Sequence, residues 1–161
     1  LLLSQFDASF DALTNLYNRQ AFEYSIRTLT YKNDYSVVLI DITNFKEIND
    51  KYGHDKGDLA LREIATVIKK AFGKKLNGYR IGGDEICIIF RSRDERLLLD
   101  YLQTMLDELE IKRKDHIWLP TLSFGYAFND GLKGTTFQTV YKKADKRMYM
   151  YKAENKVNQN K

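Results

Sequence analysis

Three carboxylates lie where two short apolar runs end or begin. Asp41 stands near the far end of Val37-Val38-Leu39-Ile40-Asp41-Ile42-Thr43, while Asp84 and Glu85 stand between the pair Gly82-Gly83 and the run Ile86-Cys87-Ile88-Ile89-Phe90. Apolar runs of this length, rich in β-branched residues, read as buried strands. The glycine pair is a turn signal. It sets Asp84 and Glu85 on a tight bend, where a phosphate or a metal could approach bare backbone. If the two strands are neighbours, Asp41 and Asp84 become candidate ligands for magnesium, which usually takes one or two carboxylates plus substrate phosphates. Taken alone, the same residues also fit a plain hairpin with an acidic tip. Lys46, shortly after Asp41, is a compact positive charge able to meet phosphate, or simply an exposed helix lysine.

The residues between these runs add a longer pattern. Asp41 to Asp58 read D-I-x-x-F-K-x-x-N-D-x-Y-G-H-x-x-G-D, and Arg80 to Ile86 read R-I-G-G-D-E-I. Together they resemble the GGDEF family of diguanylate cyclases. Asp11-Ala12-Leu13-Thr14-Asn15-Leu16-Tyr17-Asn18-Arg19 resembles that family's opening segment D-x-L-T-G-L-x-N-R, with Asn15 in place of the usual glycine. Asn is the next-best residue for a left-handed turn. The resemblance runs from about Asp11 to about Lys156, and several spaced motifs in order are far more specific than one glycine pair.

The resemblance implies a reaction in which two GTP molecules condense to cyclic di-GMP and two pyrophosphates. Each ribose 3′-hydroxyl attacks an α-phosphate, and divalent metal stabilises the charge on the oxygens. It implies that Asp41, the backbone carbonyl of Ile42 and Asp84 hold Mg2+ or Mn2+. Asp84 would also accept the proton of the attacking hydroxyl, with Glu85 assisting. Lys46 and Lys152 would contact phosphate, as would Lys156, which stands where the family usually has Arg and so lacks the bidentate fork. Asn49 and Asp58 would read guanine. A carboxylate can accept from its N1–H and N2–H, a donor pair that adenine lacks. His54, Phe45, Gly82 and Gly83 would complete the substrate pocket. Without the resemblance, Asp58 reads as a helix N-cap and Asn49 as a turn residue. The implied partners are GTP, a second copy of the domain and an upstream sensor domain. A degenerate domain that binds GTP without turnover is the alternative.

Some positions depart from the family pattern. Thr43 stands where a second Asp is common, which removes one carboxylate near the metal. Ile86 replaces the motif's Phe, an apolar exchange expected to be tolerated. Ile81 replaces a common Tyr, and Asn155 a common Gly. The family's product-inhibition motif R-x-x-D is replaced by Gly73-Lys74-Lys75-Leu76, so feedback through that site is not expected.

These residues must be positioned by one domain of 161 residues, 43 % of them hydrophobic, which is enough for a sizeable core. No segment approaches the ~20 apolar residues of a membrane helix. The single cysteine, Cys87, lies inside an apolar strand, so no disulfide framework exists. The net charge of +4 suits an anionic ligand. The lysines are interleaved with acids rather than gathered in a stripe, which argues against nucleic acid. Leu1 stands first in place of a Met, and Leu1-Leu2-Leu3 is too short for a signal peptide. The expectation is a piece of a longer protein: residues 1–10 ending a linker helix, 11–156 the domain, 157–161 a polar tail. Its expected location is the cytoplasm, as part of a sensor that can be membrane-anchored.

Periodicity predicts a helix from about Arg19 to Thr30 with Asn18 as N-cap, a strand over Tyr35–Asp41, and a helix over Phe45–Lys51 stopped by Gly53. A loop is expected over His54–Gly57, then a helix with Leu61, Ile64, Ala65, Ile68 and Phe72 on its core face, ended by Gly73. Strands are expected over Leu76–Ile81 and Glu85–Arg91, with a helix over Arg93–Leu109 and an exposed charged stretch over 110–116. Pro120–Asn129 alternate as a strand with Leu122, Phe124, Tyr126 and Phe128 on one side. A last helix carries Phe137, Val140, Tyr141, Ala144, Met148 and Tyr151. The order predicts an α+β fold: a central mixed, mainly antiparallel sheet flanked by helices. The resemblance implies the palm-like form of nucleotidyl cyclases.

Overall fold

The computed structural model describes residues 9–159. Helix α1 (Arg19–Arg27) starts at Asn18, whose side chain accepts from the Ala21 N–H. Strand β1 (Ser36–Ile42) follows, then α2 (Phe45–Tyr52) and α3 (His54–Phe72). After a 3-10 turn (Gly73–Lys75) come β2 (Gly78–Arg80) and β3 (Glu85–Phe90). Helix α4 (Glu95–Asp115), strand β4 (Leu122–Phe128) and helix α5 (Phe137–Gln159) complete the domain.

The sheet order is β2-β3-β1-β4. All strand pairs are antiparallel, and the one parallel contribution is an isolated bridge between Tyr17 and Tyr79. The α+β fold with a central, mainly antiparallel sheet is therefore observed, and its four strands pair without the parallel member that a mixed sheet would have. Side chains alternate across a strand, so β1 feeds two cores. Val38, Ile40 and Ile42 join Ile64, Ile68 and Phe72 of α3 and Leu98, Leu102 and Met105 of α4. Val37 and Leu39 join Phe22 of α1 and Val140, Ala144 and Met148 of α5. The sheet is thus covered on both faces. Each fully buried large apolar side chain contributes about 1.5–3 kcal/mol.

Several boundaries differ from the sequence reading, each for a local reason. His54–Gly57 are helical, not a loop, because Gly53 alone makes the break. At φ 91° it ends α2, and α3 begins on the next residue. Residues 110–115 continue α4 instead of forming a loose charged stretch. Lys112 pairs with Glu63 of α3, and Arg113 Nε donates to the Leu119 carbonyl at 2.9 Å. β2 keeps only Gly78–Arg80 of the expected Leu76–Ile81. It is bordered by Tyr17, whose N–H donates to Gly78 O and whose carbonyl accepts from Arg80 N. α5 runs through Gln159, past the expected start of a tail. The upstream helix expected over residues 1–10 lies mostly outside the described residues. Phe10 makes an isolated bridge to Tyr17. Asn15 is left-handed at φ 57°, as its place in the opening segment predicts, and Asn44 is left-handed as well, at φ 55°.

The faces of β4 divide as its period predicts, but their burial is uneven. Phe124, Tyr126 and Phe128 are partly exposed, whereas the small face, Ser123, Gly125 and Ala127, is buried. A β-carbon on Gly125 would lie 2.2 Å from Met148 N and 2.3 Å from Ala144 O. Helix α5 therefore lies directly on the β4 backbone, a seat only glycine permits.

Candidate active site

Asp41 is the sixth residue of β1 and lies on the α5 face. In the register of β1 with its neighbours it stands opposite Glu85 on β3 and Ser123 on β4. Asp84 immediately precedes β3, and its carbonyl accepts from Ile42 N at 3.2 Å. The carboxyls of Asp84 and Asp41 lie near enough to interact. Burial and the neighbouring Asp41 charge hold the Asp84 carboxyl above the usual carboxylate range, with Glu85 adding to the effect. Like charges brought together in a partly dry site behave this way.

Asp41 is well covered, its side chain 15 % exposed. Its Oδ2 contacts the ammonium of Lys152 from α5. Its Oδ1 is buried and has no hydrogen-bond partner. An orphaned anionic oxygen beside a second carboxyl suits a cation, because buried carboxylate oxygens otherwise lose their water without compensation. Among the described residues no cluster of three or more His, Cys, Asp and Glu side chains gathers to hold a metal. Two carboxylates nonetheless suffice for magnesium when substrate phosphates complete its shell. The residues present fit such an ion.

The bend over 81–85 is closed by the Glu85 carbonyl, which accepts from Ile81 N at 3.0 Å and Gly82 N at 3.4 Å. Neither Gly82 nor Gly83 has positive φ. A β-carbon on Gly82 would meet Glu85 Oε2 at 3.3 Å, while one on Gly83 would meet nothing within 4 Å. Gly83 thus leaves backbone open to an approaching group. Its carbonyl is gripped by Arg80, through Nη2 at 2.9 Å and Nε at 3.3 Å. Arg80 Nη1 reaches both oxygens of Asp11 at 3.2 Å. Asp11 in turn accepts from Thr14 N and Oγ1. Burial alone would raise the Asp11 carboxyl, but these bonds and the Arg80 charge hold it below the usual carboxylate range.

An open cleft of about 900 Å³ lies beside Asp41, within the size range of small-molecule sites. It is lined by Asp41, Ile42, Lys152 and Lys156 among the sequence candidates, and by Thr43, Asn44, Glu47, Thr121, Ser123, Tyr149, Tyr151 and Asn155. Asp84, Glu85, Gly82, Gly83, Lys46, Phe45, Asn49, His54 and Asp58 do not line it. Asp84 and Glu85 neighbour Asp41, which does line it. Lys46 is exposed on the first turn of α2, and Phe45 packs its ring against the α3-side core. The helix break at Gly53 sets Asn49 against Gly57, the residue before Asp58. A β-carbon on Gly57 would fall 1.8 Å from Asn49 Oδ1, so Asn49 lies flat against the first turn of α3. His54 begins that turn and is exposed, as is Asp58. Asp58 lies inside α3, not at its N-cap. Lys56, on the same turn, holds its ammonium 4.5 Å from the centre of the Trp118 ring.

Thr43 and Ser123 were not candidates, yet they stand together beside Asp41. Their hydroxyls are 3.4 Å apart, and Thr43 N donates to Thr121 O. Ser123 could have been found from strand parity, since it shares the Asp41 face once β4 is placed beside β1. Glu47 and the tyrosines carried no such signal.

The chain as a whole is similar to known proteins. The chain is 30 % identical over 152 residues to the diguanylate cyclase VdcA of Vibrio cholerae, covering 90 % of the chain and 44 % of the relative. It is 30 % identical over 151 residues to the diguanylate cyclase DgcS of Shewanella oneidensis, covering 91 % and 50 %. The chain thus spans half or less of the length of these curated relatives. The crystal structure of the GGDEF domain of DgcB from Caulobacter crescentus, in complex with c-di-GMP, superposes with a TM-score of 0.79 at 27 % identity, covering 91 % of each chain. Residues 8–158 match the family model described as diguanylate cyclase, GGDEF domain, and the chain belongs to that family.

Proposed function

We propose that the domain condenses two molecules of GTP into cyclic di-GMP, releasing two pyrophosphates. The observation that carries this reading is the meeting of Asp41 and Asp84 at adjoining strand ends, with a buried Asp41 oxygen left unpartnered. Relatives of the same family are named as diguanylate cyclases, and a neighbouring GGDEF structure contains cyclic di-GMP.

Asp41, Asp84 and the Ile42 carbonyl would hold a divalent cation, Mg2+ or Mn2+. When bound, it stabilises the charge that builds on the phosphate and leaving oxygens. In each half-reaction the ribose 3′-oxygen bonds to the α-phosphorus of the other GTP. The bond from that phosphorus to the bridging oxygen breaks, and pyrophosphate leaves. Asp84 takes the hydroxyl proton, and Glu85 steadies it. Lys46, Lys152 and Lys156 neutralise phosphate. Asn49 and Asp58 read the guanine edge, with His54 and Phe45 beside them, and Gly82 and Gly83 admit the phosphates to bare backbone. One domain has one such site, so two must face each other with two-fold symmetry.

Incubation with GTP and Mg2+ followed by product identification tests the proposal. Cyclic di-GMP with stoichiometric pyrophosphate is the expected result. Tight GTP binding with no product would favour the second reading, a GTP-binding regulatory module. The neutral Thr43–Ser123 pair beside Asp41, where family members commonly have another acid, is the observation on that side.

A further inference from the structure

Lys152 and Asp41 form an ion pair that spans the cleft. Asp41 has one oxygen on that ammonium and the other buried without a partner, and Asp84 crowds the same carboxyl. Without a metal, Lys152 is the only cationic group hydrogen-bonded to either of these two carboxyls among the described residues. It is also 41 % exposed and carried on a flexible four-carbon stem. Lys156, one helical turn further along α5, lines the same cleft. Lys152 can thus sit on Asp41 or turn into the open cleft, where Lys156 already offers positive charge.

We propose that Lys152 is a resident counter-ion of Asp41 whose charge opposes a divalent cation at the free Asp41 oxygen, and that its transfer to phosphate makes metal and nucleotide binding cooperative. This rests on the reading of Asp41 as a metal ligand. With no nucleotide present, a metal at the free Asp41 oxygen stands beside the ammonium on the other, two cations side by side. When a triphosphate occupies the cleft, the ammonium can turn to a new anionic partner. Each ligand then favours the other, by the same factor in both directions. The lysine acts twice, opposing metal alone and holding phosphate once metal is in place.

Binding of Mn2+ alone, followed by the paramagnetic signal of the free ion, tests this in the parent and in Lys152→Gln, Lys152→Arg and Asp41→Asn. A second titration measures a GTP analogue with a methylene between its α- and β-phosphates, in saturating Mn2+. Lys152→Gln should bind Mn2+ alone more tightly, by roughly tenfold on the usual scale of such couplings. The same variant should bind the analogue more weakly. Lys152→Arg should resemble the parent in both. A lysine that only braced the fold would, when removed, weaken both ligands together. Mn2+ binding to Lys152→Gln that is no tighter than to the parent overturns the proposal. If Asp41→Asn abolishes Mn2+ binding in that case, the metal site itself still stands. If Asp41→Asn binds Mn2+ like the parent, the metal-ligand reading falls and the proposal with it.

Discussion

Gly125 on β4 and Met148 on α5 meet backbone to backbone: a β-carbon at position 125 would lie 2.2 Å from Met148 N. Lys152 is one turn beyond Met148, so this contact sets where its ammonium meets Asp41. Gly125→Ala must push α5 off the sheet or distort β4. Overpacking of this kind costs about 1–3 kcal/mol. Cyclase activity should fall further than the stability loss explains, because Lys152 moves. Urea melts and GTP turnover of the same variant separate the two effects, and unaltered turnover would show that α5 tolerates the shift.

Asp84→Asn should abolish turnover and yet stabilise the metal-free domain. The folded carboxyl titrates above its unfolded range. Between those two values the folded state therefore holds more protons than the unfolded chain, and stability falls as pH rises. The penalty is complete above the folded value and absent in acid, where both states are protonated. The gain in Tm of Asp84→Asn should thus be largest above the folded carboxyl's range and vanish well below the usual carboxylate range. Thermal melts across pH in chelator check this, and a lower Tm than the parent at neutral pH would contradict it.

Asp11 titrates in the opposite sense. Its folded carboxyl lies below the usual range, so its contribution is present above the unfolded value and lost as pH falls through the folded one. Asp11→Asn should cost about 1–3 kcal/mol at neutral pH, the usual value of hydrogen bonds to a charged group. The deficit should shrink in acid. Turnover should drop as well, because Arg80 loses the anchor from which it grips Gly83 beside Asp84.

Base selectivity offers a test at two neighbouring residues. Asp58→Ala should remove most of the preference for GTP over ATP, at about 1–3 kcal/mol for each stranded donor. Gly57→Ala should do so indirectly, since its methyl would occupy the place of Asn49 Oδ1. Calorimetry with both nucleotides is the measurement. Equal GTP and ATP affinity in the parent would remove Asn49 and Asp58 from the base site.

Assembly supplies a kinetic test. If two facing domains make one product, specific activity should rise with enzyme concentration and with fusion of a parallel coiled coil at Leu1, which raises effective concentration. Residues 73–75 form an exposed turn, Leu76 after it is half-buried, and the four include no Arg or Asp, so changing the turn should not alter any response to added cyclic di-GMP. A rate independent of concentration would refute the assembly requirement.

Much of this structure was legible in the sequence because its signals are local. The runs 37–42 and 86–90 are apolar and β-branched, Asn18 caps a helix, and the α3 stripe has the helical period. The pairing of Asp41 with Asp84 needed only the assumption that two strands adjoin. What escaped depends on groups distant in sequence. His54–Gly57 carry loop-like residues but become helical, since one glycine suffices for the break. Ser123 and Gly125 look like the weak side of β4, yet α5 covers that side because they are small. The contact of Lys152 with Asp41 joins residues 111 apart, and no periodicity encodes such a contact.

The sheet order places the first of the described strands between two later ones, with consequences for synthesis. β1 leaves the ribosome before the other three strands but gains its neighbours only when β3, and then β4, have followed. N-terminal segments emerge first, and non-local pairing is slow. Until then an almost wholly apolar strand waits with both edges unpaired, which invites chaperone binding. The counter-ion of Asp41 arrives later still, on α5. A nascent chain arrested before Lys152 would lack the complete site, so activity should switch on only once α5 has emerged instead of growing with chain length.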